Sequence, residues 1–312
     1  MKIGFTVKKR NKIKVFKKSY QLTLMSLPAI ILFIIFNYVP MFGIILAFKK
    51  LKFNLGFFKS PWVGLDNFKF FFQSQDAWTI TRNTIGLNAL FIVAGLVVSV
   101  AFAILLNEIS KRVFVKTYQT AMFFPYFLSW VVVGYMLYAV LNDRLGILNQ
   151  VLEIFGMEPV SWYSNPQYWP VILLIVYLWK NVGYLSVIYY AGIMGIDNAL
   201  IEAAIVDGAN KFQVIKSIIL PMLVPIITVM TLLQIGRIFY ADFGMFYYLP
   251  NDVGALYPTT QVIDIYVYRA LRVTGQVGMA TAAGFFQAVV GLCMVLTSNF
   301  IVKKYNKDNA IF

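Results

Sequence analysis

Histidine is absent from the 312-residue sequence, and cysteine occurs only once. Without histidine the chain cannot build an imidazole proton relay, a histidine metal site or a Ser-His-Asp triad. The single cysteine, Cys293, excludes an internal disulfide, and we interpret it as a small core residue of an apolar helix. The sequence also contains no CxxC, HExxH or GxxxxGK[ST] pattern. Together these absences argue against an enzyme.

Charged residues are also scarce, at 13% of the sequence, while 60% of the residues are hydrophobic and the mean hydropathy is +0.73. Soluble domains average about 25% charged residues, so this composition indicates an integral membrane protein. A helix needs about 20 apolar residues to cross a bilayer core. Six apolar runs reach that length and predict an all-α fold with six transmembrane helices, at 22–48, 85–106, 120–141, 169–194, 218–241 and 277–302.

The formal charge of +14 lies mainly at the borders of these runs, which argues against a nucleic-acid partner. Sixteen Lys and Arg residues fall in the segments on the side of the two termini, against nine on the opposite side. The positive-inside rule therefore predicts that both termini are cytoplasmic. The predicted parts are a cytoplasmic basic tail (1–20), a first transmembrane helix (21–48), an extracellular loop (49–83), a five-helix core (84–302) and a second cytoplasmic tail (303–312).

The predicted extracellular loop carries six of those nine basic residues and is rich in aromatic side chains. Phe57, Phe58, Trp62 and the segment 67–72 are typical of an amphipathic stretch that lies at the outer membrane interface. A platform for an extracellular partner is the alternative interpretation of the same aromatic residues.

A polar segment at 195–221 joins the fourth and fifth apolar runs. Asp197 is placed to cap a short helix, and Gly208 permits a turn that other residues would resist. Pro221 is expected to begin the next membrane helix, where its missing N–H costs little. These features predict a helix–turn–helix at the cytoplasmic face. Periodicity alone leaves two interpretations open: an ordinary amphipathic connector, or a docking site for another protein.

The spacing of Glu202-Ala203-Ala204, then Gly208, then Leu220-Pro221 resembles the EAA coupling loop of permease subunits in binding-protein-dependent ABC importers. The run Asp207-Gly208-Ala209-Asn210 is similar to the sugar-specific branch of that family. Asn198 departs from the pattern, because the branch often has proline after the capping aspartate. Elsewhere the runs 36–41 and 123–126 resemble the subgroup of permeases for complex oligosaccharides.

This resemblance implies the type I ABC importer permease fold, with the first helix against a partner permease and five helices forming the core. It implies that the loop 195–221 docks on a cytoplasmic ATPase through Glu202, Ala203, Ala204, Asp207, Gly208 and Pro221. The implied partners are a second homologous permease, giving a heterodimer, an ABC ATPase dimer and an extracellular sugar-binding lipoprotein. No cofactor is expected in this chain, because ATP and Mg are used by the separate ATPase subunit. The implied location is a bacterial cell membrane, in contact with lipid.

Lys180 is the deepest charge in the predicted spans, where a lysine costs about 2.5–3.5 kcal/mol on insertion scales. Because no Asp or Glu lies in the six runs, Lys180 is expected to face a wet cavity, helix carbonyls or another subunit. Its neighbours Trp179, Asn181 and Tyr184 combine flat apolar surface with hydrogen-bonding groups, which suits sugars. All four are candidates for a substrate pathway. A purely structural contact between Lys180 and carbonyls is the alternative.

Gln234 and Arg237 in the fifth run and Asn88 in the second are further pathway candidates. Arg237 has two alternatives, since it could snorkel to the outer interface or pair with Asp242. Two other classes of protein remain open: an ion-driven secondary transporter, and a scaffold or channel subunit that transports nothing itself. A secondary transporter would usually carry an intramembrane carboxylate and inverted repeats, and neither is visible in the sequence.

Overall fold

Helices form nearly all of the regular structure of this protein. A computed structural model describes residues 12–69 and 75–305, and within those ranges the one extended pairing is an isolated bridge between Lys49 and Trp62. The helices are α1 (Lys12–Phe33), α2 (Gly56–Lys59), α3 (Gln75–Asn107), α4 (Arg112–Phe123), α5 (Trp130–Leu141), α6 (Ile147–Ile154), α7 (Trp169–Ile193), α8 (Asn198–Val206), α9 (Lys211–Val214), α10 (Leu220–Ile235), α11 (Phe243–Tyr248), α12 (Tyr257–Thr260), α13 (Ile263–Arg272) and α14 (Val277–Tyr305). Residues 1–11 and 306–312 of the predicted tails, and 70–74 of the predicted outer loop, lie outside the described ranges.

Among the described residues, five segments are long and apolar enough to cross a membrane without interruption. They are Thr23–Phe48, Asp76–Asn107, Pro166–Ile193, Lys211–Ile235 and Val277–Lys304. Each coincides with a predicted run, so the all-helical membrane class is confirmed. Two of these segments are not α-helical throughout, because they include π turns or a 3₁₀ stretch. α1 continues through a π turn (Ile34–Tyr38) and a 3₁₀ stretch (Val39–Phe48), and α9 continues through a π turn (Ile215–Ile219) into α10.

The third predicted span, 120–141, is wrong as a single helix. Helical structure begins earlier, at Arg112, and the chain bends by 96° between Arg112–Phe127 and Trp130–Leu141. Pro125 lacks the N–H that an α-helix requires, and the chain tightens into a 3₁₀ turn at Phe124–Phe127 before it bends. The apolar run could not reveal the bend, because it continues across it.

Two further boundaries differ from the prediction. α3 begins at Gln75 instead of 85, so the end of the predicted loop 49–83 is helical, and Ala77 and Ile80 in its first turns are buried. The fifth span begins at Lys211 and ends at Ile235, whereas 218–241 was predicted. Polar residues at 82–84 made the first of these boundaries look like a loop, and packing against other elements overrides that local signal.

α3 and α7 pack side by side and form the centre of the helical core. At one end Leu87 of α3 and Leu173 of α7 share a buried cluster, which also holds parts of α11 and α13. At the other end Val100 of α3 and Tyr189 of α7 share a second cluster with the start of α10. The second cluster therefore holds the start of the fifth span against α3 and α7, and the first holds the segments that follow this span.

Gly183 allows α7 to cross α4 at very short range. A Cβ atom built at Gly183 lies 1.9 Å from the backbone oxygen of Met122, so any side chain would push the two backbones apart. We expect Gly183→Ala to lower the midpoint of thermal unfolding by several degrees, because overpacking costs about 1–3 kcal/mol. Gly284→Ala in α14 is the matched control, since open space surrounds that position and alanine favours a helix over glycine by about 1 kcal/mol. Equal midpoints for the two variants would contradict the close crossing.

The first span lies at the edge of the molecule, with only 6% of its most apolar window buried. The outer segment that follows is better anchored. The side chain of Lys49 is buried there, and its Nζ donates to the carbonyls of Phe57 and Phe58 at 3.2 and 2.9 Å. Phe58 and Trp62 are exposed, at 89% and 64%. Exposed rings above a fixed backbone fit the predicted interfacial segment, and they fit the alternative platform for a partner equally well.

Candidate transport cavity and coupling segment

A cavity of about 710 Å³ opens between α3, α7 and the end of α10. Its wall includes five of the seven predicted pathway residues: Asn88, Asn181, Tyr184, Gln234 and Arg237. They come from three different predicted spans, and the fold brings them to one place. Most of the remaining wall is aromatic or aliphatic, with Asp242 as its carboxylate. The arrangement offers flat apolar surfaces and a few polar groups, which is the usual character of a small-molecule site.

Two stacked aromatic pairs form the flat parts of this wall. Tyr126 stacks on Tyr184, and Phe91 stacks on Tyr177, each with ring centroids 4.7 Å apart and an interplanar angle of 13°. The side chain of Asn181 lies beside them and donates to the carbonyl of Tyr177 at 3.0 Å. Stacking fixes the ring planes, so the faces presented to the cavity are held in place before any ligand enters.

Lys180 is buried, at 6% exposed, and it does not line the cavity. Its ammonium donates to the carbonyls of Pro125 and Tyr126 at 3.2 and 2.8 Å, and also to that of Leu128. The same group lies 5.0 Å from the ring of Trp130. These carbonyls belong to the bend of the third span, where the helix has ended and its own N–H groups no longer reach them. Of the predicted environments for Lys180, contact with helix carbonyls is therefore the one that the structure contains.

Trp179 also lies away from the cavity, on the opposite side of α7. It lines a separate groove of about 390 Å³ together with Phe102, Met122 and other apolar residues, and its side chain is 45% exposed. Trp179 and Tyr184 are five residues apart, a spacing that places them on different faces of an α-helix. Lys180 is one turn before Tyr184, but its ammonium is directed to the carbonyls of the bend. The predicted candidates on α7 are close in sequence, but Asn181 and Tyr184 line the cavity while Trp179 lines the separate groove.

The fifth span ends where the chain leaves its helix, and three side chains from other elements stabilise this break. Asn88 of α3 donates to the carbonyls of Ile238 and Tyr240 at 2.8 and 3.1 Å. Gln287 of α14 donates to the carbonyl of Phe239 at 2.6 Å. Ile238 and Phe239 are buried, and buried backbone carbonyls outside a helix require such partners. The predicted end at 241 is wrong because these side chains replace the hydrogen bonds that would have continued the helix.

Asp264 of α13 completes the break by accepting the backbone N–H of Ala241 at 2.8 Å and the side-chain amide of Gln287 at 3.2 Å. Burial raises the pKa of the Asp264 carboxyl, although both of these hydrogen bonds favour its ionised form. The sequence carries no signal for this contact, because Asp264 follows Ala241 by more than twenty residues.

Asp242 links the bend of the third span to the break that follows the fifth span. Its carboxylate accepts the indole N–H of Trp130 at 2.7 Å and the backbone N–H of Met245 at 3.3 Å, which caps α11. Gly244 makes room for the indole, since a Cβ atom built there lies 2.4 Å from the ring. Trp130 begins the second arm of the bent span, so the bend and the end of the fifth span are tied together at the cavity. Asp242 and Trp130 were not among the predicted site residues.

The pairing of Arg237 with Asp242, one of the two alternatives for this residue, is absent from the structure. Arg237 lines the cavity from the turn after α10 and forms no ion pair or hydrogen bond through its side chain among the described residues. Gln234, one helical turn earlier, lies on the same wall. The basic and acidic groups of the cavity are thus separate, and only the acidic one is engaged by the protein.

The polar segment 195–221 contains two helical arms around a turn. The side chain of Asp197 accepts the N–H of Ala199 at 3.0 Å and caps α8. Gly208 has φ +86°, a backbone conformation that residues with a side chain rarely adopt. Asn210 and Gln213 then form a reciprocal capping box at the start of α9. Three local capping devices within seventeen residues make this segment an ordered element and not a loose connector.

One face of the segment is packed and the other is open. Ile201, Ala204 and Ala209 lie against the buried cluster at the ends of α3 and α7. Glu202 and Ala203 are exposed, and so are four large apolar side chains: Leu200 (48%), Ile205 (59%), Val206 (86%) and Phe212 (72%). The ammonium of Lys211 pairs with the carboxylate of Glu108 at the end of α3, which ties the second arm to the membrane helices.

Pro221 lies in the first turn of α10, as predicted, although helical structure reaches it without interruption from Lys211. A π turn at Ile215–Ile219 precedes it, in which the N–H of Leu220 donates to the carbonyl of Ile215. Proline supplies no N–H and its ring crowds the carbonyl four residues earlier. The wider π turn accommodates both effects, so α10 begins at this proline while remaining continuous with the helical segment before it.

The described residues form five uninterrupted helical segments and one bent pair suited to a bilayer, with a cavity of polar and aromatic walls among them, and these features indicate a membrane transport protein and not an enzyme. Residues 92–307 match the family described as the binding-protein-dependent transport system inner membrane component. The chain therefore belongs to this family, and it is a permease subunit of the ABC importer type.

Relatives match along nearly the whole chain. The polygalacturonan/rhamnogalacturonan transport system permease protein YteP of Bacillus subtilis (strain 168) is 34% identical over 301 residues, covering 96% of this chain and 93% of the relative. Protein LplB of the same strain is 32% identical over 292 residues, covering 94% and 91%. A chain from a bacterial ABC transporter involved in the import of the acidic polysaccharide alginate superposes with a TM-score of 0.87 at 34% identity, covering 95% of this chain and 100% of that one.

Proposed function

We propose that this permease and a second, homologous permease form a heterodimeric pathway for ATP-driven uptake of an oligosaccharide. The observation that carries the proposal is the cavity wall, where stacked tyrosines lie beside the polar side chains of Asn88, Asn181, Gln234 and Arg237. Sugar rings have apolar C–H faces and hydroxyl edges, and this wall offers a counterpart to each. The printed functions of YteP and of the alginate transporter support a saccharide cargo.

The cargo reaches this cavity from an extracellular sugar-binding lipoprotein. A solved relative of 34% identity and TM-score 0.86 was crystallised in complex with an alginate pentasaccharide-bound periplasmic protein, which supports this order of events. Both termini lie in the cytoplasm of a bacterium, as the distribution of Lys and Arg indicates. The first span lies at the periphery of the chain, and its exposed apolar surface packs against the second permease or against membrane lipid.

The segment 195–221 is the coupling element that docks on a cytoplasmic ABC ATPase dimer. Glu202 and Ala203 present one charge and a small side chain that allows close approach. Ala204 packs behind them against the membrane helices, and Asp207 and Gly208 set the turn. The exposed Val206 and Phe212 add an apolar contact. Pro221 and the π turn before it connect the docked segment to the fifth span and hence to the cavity. ATP and Mg are used by the ATPase subunit and not by this chain, whose sequence has no phosphate loop.

Tyr184→Ala tests the cavity as the pathway. Loss of the stacked ring is expected to raise the KM for oligosaccharide uptake by roughly 3- to 10-fold, the scale of an aromatic contact of about 0.5–1.5 kcal/mol. The measurement is ATP-driven uptake into proteoliposomes that contain both permeases and the ATPase, with the binding protein supplied outside. Trp179→Ala is the matched control, because this larger ring lies five residues earlier on the face of α7 away from the cavity.

Different outcomes would contradict the location of the pathway and the ATP-driven mechanism. A larger rise in KM for Trp179→Ala than for Tyr184→Ala would place the pathway on the other side of α7. Uptake driven by an ion gradient in the absence of ATP would contradict the importer mechanism as a whole.

A further inference from the structure

The two charged side chains that line the cavity differ in whether other groups of the protein hydrogen-bond to them. Asp242 is the acidic residue of the wall, and each of its carboxylate oxygens accepts one hydrogen bond, from Trp130 and from Met245. It also lies at the N-terminus of α11, where the helix dipole favours a negative charge. Arg237 is the basic residue of the wall, and its guanidinium has no hydrogen bond or ion pair among the described residues. The unsatisfied charge that the cavity presents is therefore positive.

The backbone that carries Arg237 is fixed from several directions. Gly236 lies against α14, where a Cβ atom at that position would stand 2.5 Å from Val295. Immediately after Arg237, the carbonyls of Ile238, Phe239 and Tyr240 are held by Asn88 and Gln287. The backbone on both sides of Arg237 is therefore held by other elements and is not a frayed helix end. These contacts hold the base of the side chain at the cavity, as a binding residue requires.

We propose that Arg237 binds a carboxylate of the cargo, so that the cavity takes acidic, uronate-containing oligosaccharides. This inference rests on the proposed function. A guanidinium presents a planar fork of donors that matches a carboxylate in two parallel hydrogen bonds, and it remains charged at every physiological pH. The tyrosine pairs contact the sugar rings while Arg237 selects the acid group.

A carboxylate of the second permease is the competing occupant, because the cavity opens at the surface of this single chain. The two occupants predict different results when the charge is removed. An ion pair between subunits would affect assembly and all cargoes alike. A cargo contact would affect acidic cargo alone and would leave the complex intact.

The experiment uses the complete transporter in proteoliposomes with its binding protein, and six sugar probes. The acidic probes are trisaccharides of galacturonate, mannuronate and guluronate, and the neutral probe is the methyl ester of each. The variants are Arg237→Gln, which removes the charge, and Arg237→Lys, which keeps the charge without the fork. Arg272→Gln is the control, because Arg272 is exposed at the end of α13, outside the cavity. Each variant is compared with the unaltered protein for the same sugar, so the selectivity of the binding protein cancels.

For the acidic probe that is transported, we expect Arg237→Gln to raise the KM roughly 10-fold or more, the scale of a lost charge-assisted hydrogen bond. Arg237→Lys should recover part of the loss, and Arg272→Gln should match the unaltered protein. Uptake of a methyl ester, where it occurs, should not change in Arg237→Gln. An equal loss for acidic and ester probes, or loss of the second permease on purification, would overturn the inference. Absence of ATP-driven uptake for every probe would instead overturn the proposed function.

Discussion

Glu202→Lys is expected to leave the permease in the membrane and to lower ATP-driven uptake by about tenfold or more. Glu202 is exposed on α8, and no ion pair holds it among the described residues. Its charge is therefore free to meet a partner. Reversing a charge that is buried on docking costs about 2–5 kcal/mol, and each 1.4 kcal/mol is a factor of ten in binding. The measurement is uptake in proteoliposomes, together with the amount of ATPase that co-purifies.

Glu153→Lys provides the matched control for this substitution. Glu153 is also an exposed glutamate on a short helix, α6, but it lies in the segment that is predicted to be extracellular. The ATPase should co-purify fully with Glu153→Lys and poorly with Glu202→Lys. Normal uptake and normal co-purification for Glu202→Lys would remove the coupling role from this face of α8.

The features that sequence predicted well are those encoded by neighbouring residues. Among the described residues, apolar runs predicted the five uninterrupted membrane segments and the position of the bent one, because span length is a local property of the chain. The caps at Asp197 and the turn at Gly208 were likewise predictable, since a capping side chain and its N–H lie within three residues of each other. The seven candidates on α3, on α7 and at the end of α10 were chosen for their polarity in apolar surroundings, and five of them lie on one wall.

The features that sequence missed depend on contacts between distant parts of the chain. Asn88 was predicted as a pathway residue, yet its amide also holds carbonyls 150 and 152 residues away. Asp242 and Trp130 are 112 residues apart, and nothing local announces their hydrogen bond. The bend of the third span is similar, because it depends on a donor from another helix. An apolar run shows how much helix can form but not where another element will interrupt it.

Lys180→Met is expected to destabilise the bent third span and to lower the midpoint of thermal unfolding by several degrees. Two effects oppose each other. Removing the buried charge relieves a cost of about 2.5–3.5 kcal/mol on insertion scales. It also removes three charge-assisted hydrogen bonds, each worth about 1.5–3 kcal/mol, and leaves the carbonyls of Pro125, Tyr126 and Leu128 without their donor. The second effect is the larger, because methionine supplies no replacement donor at the bend.

Lys116→Met controls for the loss of a lysine as such, because Lys116 lies exposed on α4, the first arm of the same bent span, and takes part in no ion pair among the described residues. Its unfolding midpoint should match that of the unaltered protein. Lys180→Met should also weaken uptake, since the bend carries Tyr126 and Trp130 to the cavity wall and to Asp242. That loss should follow the loss of stability and should affect every cargo alike. A variant that unfolds normally but binds its cargo poorly would mean that Lys180 reaches the cargo, and the ammonium would then belong to the pathway and not to the bend.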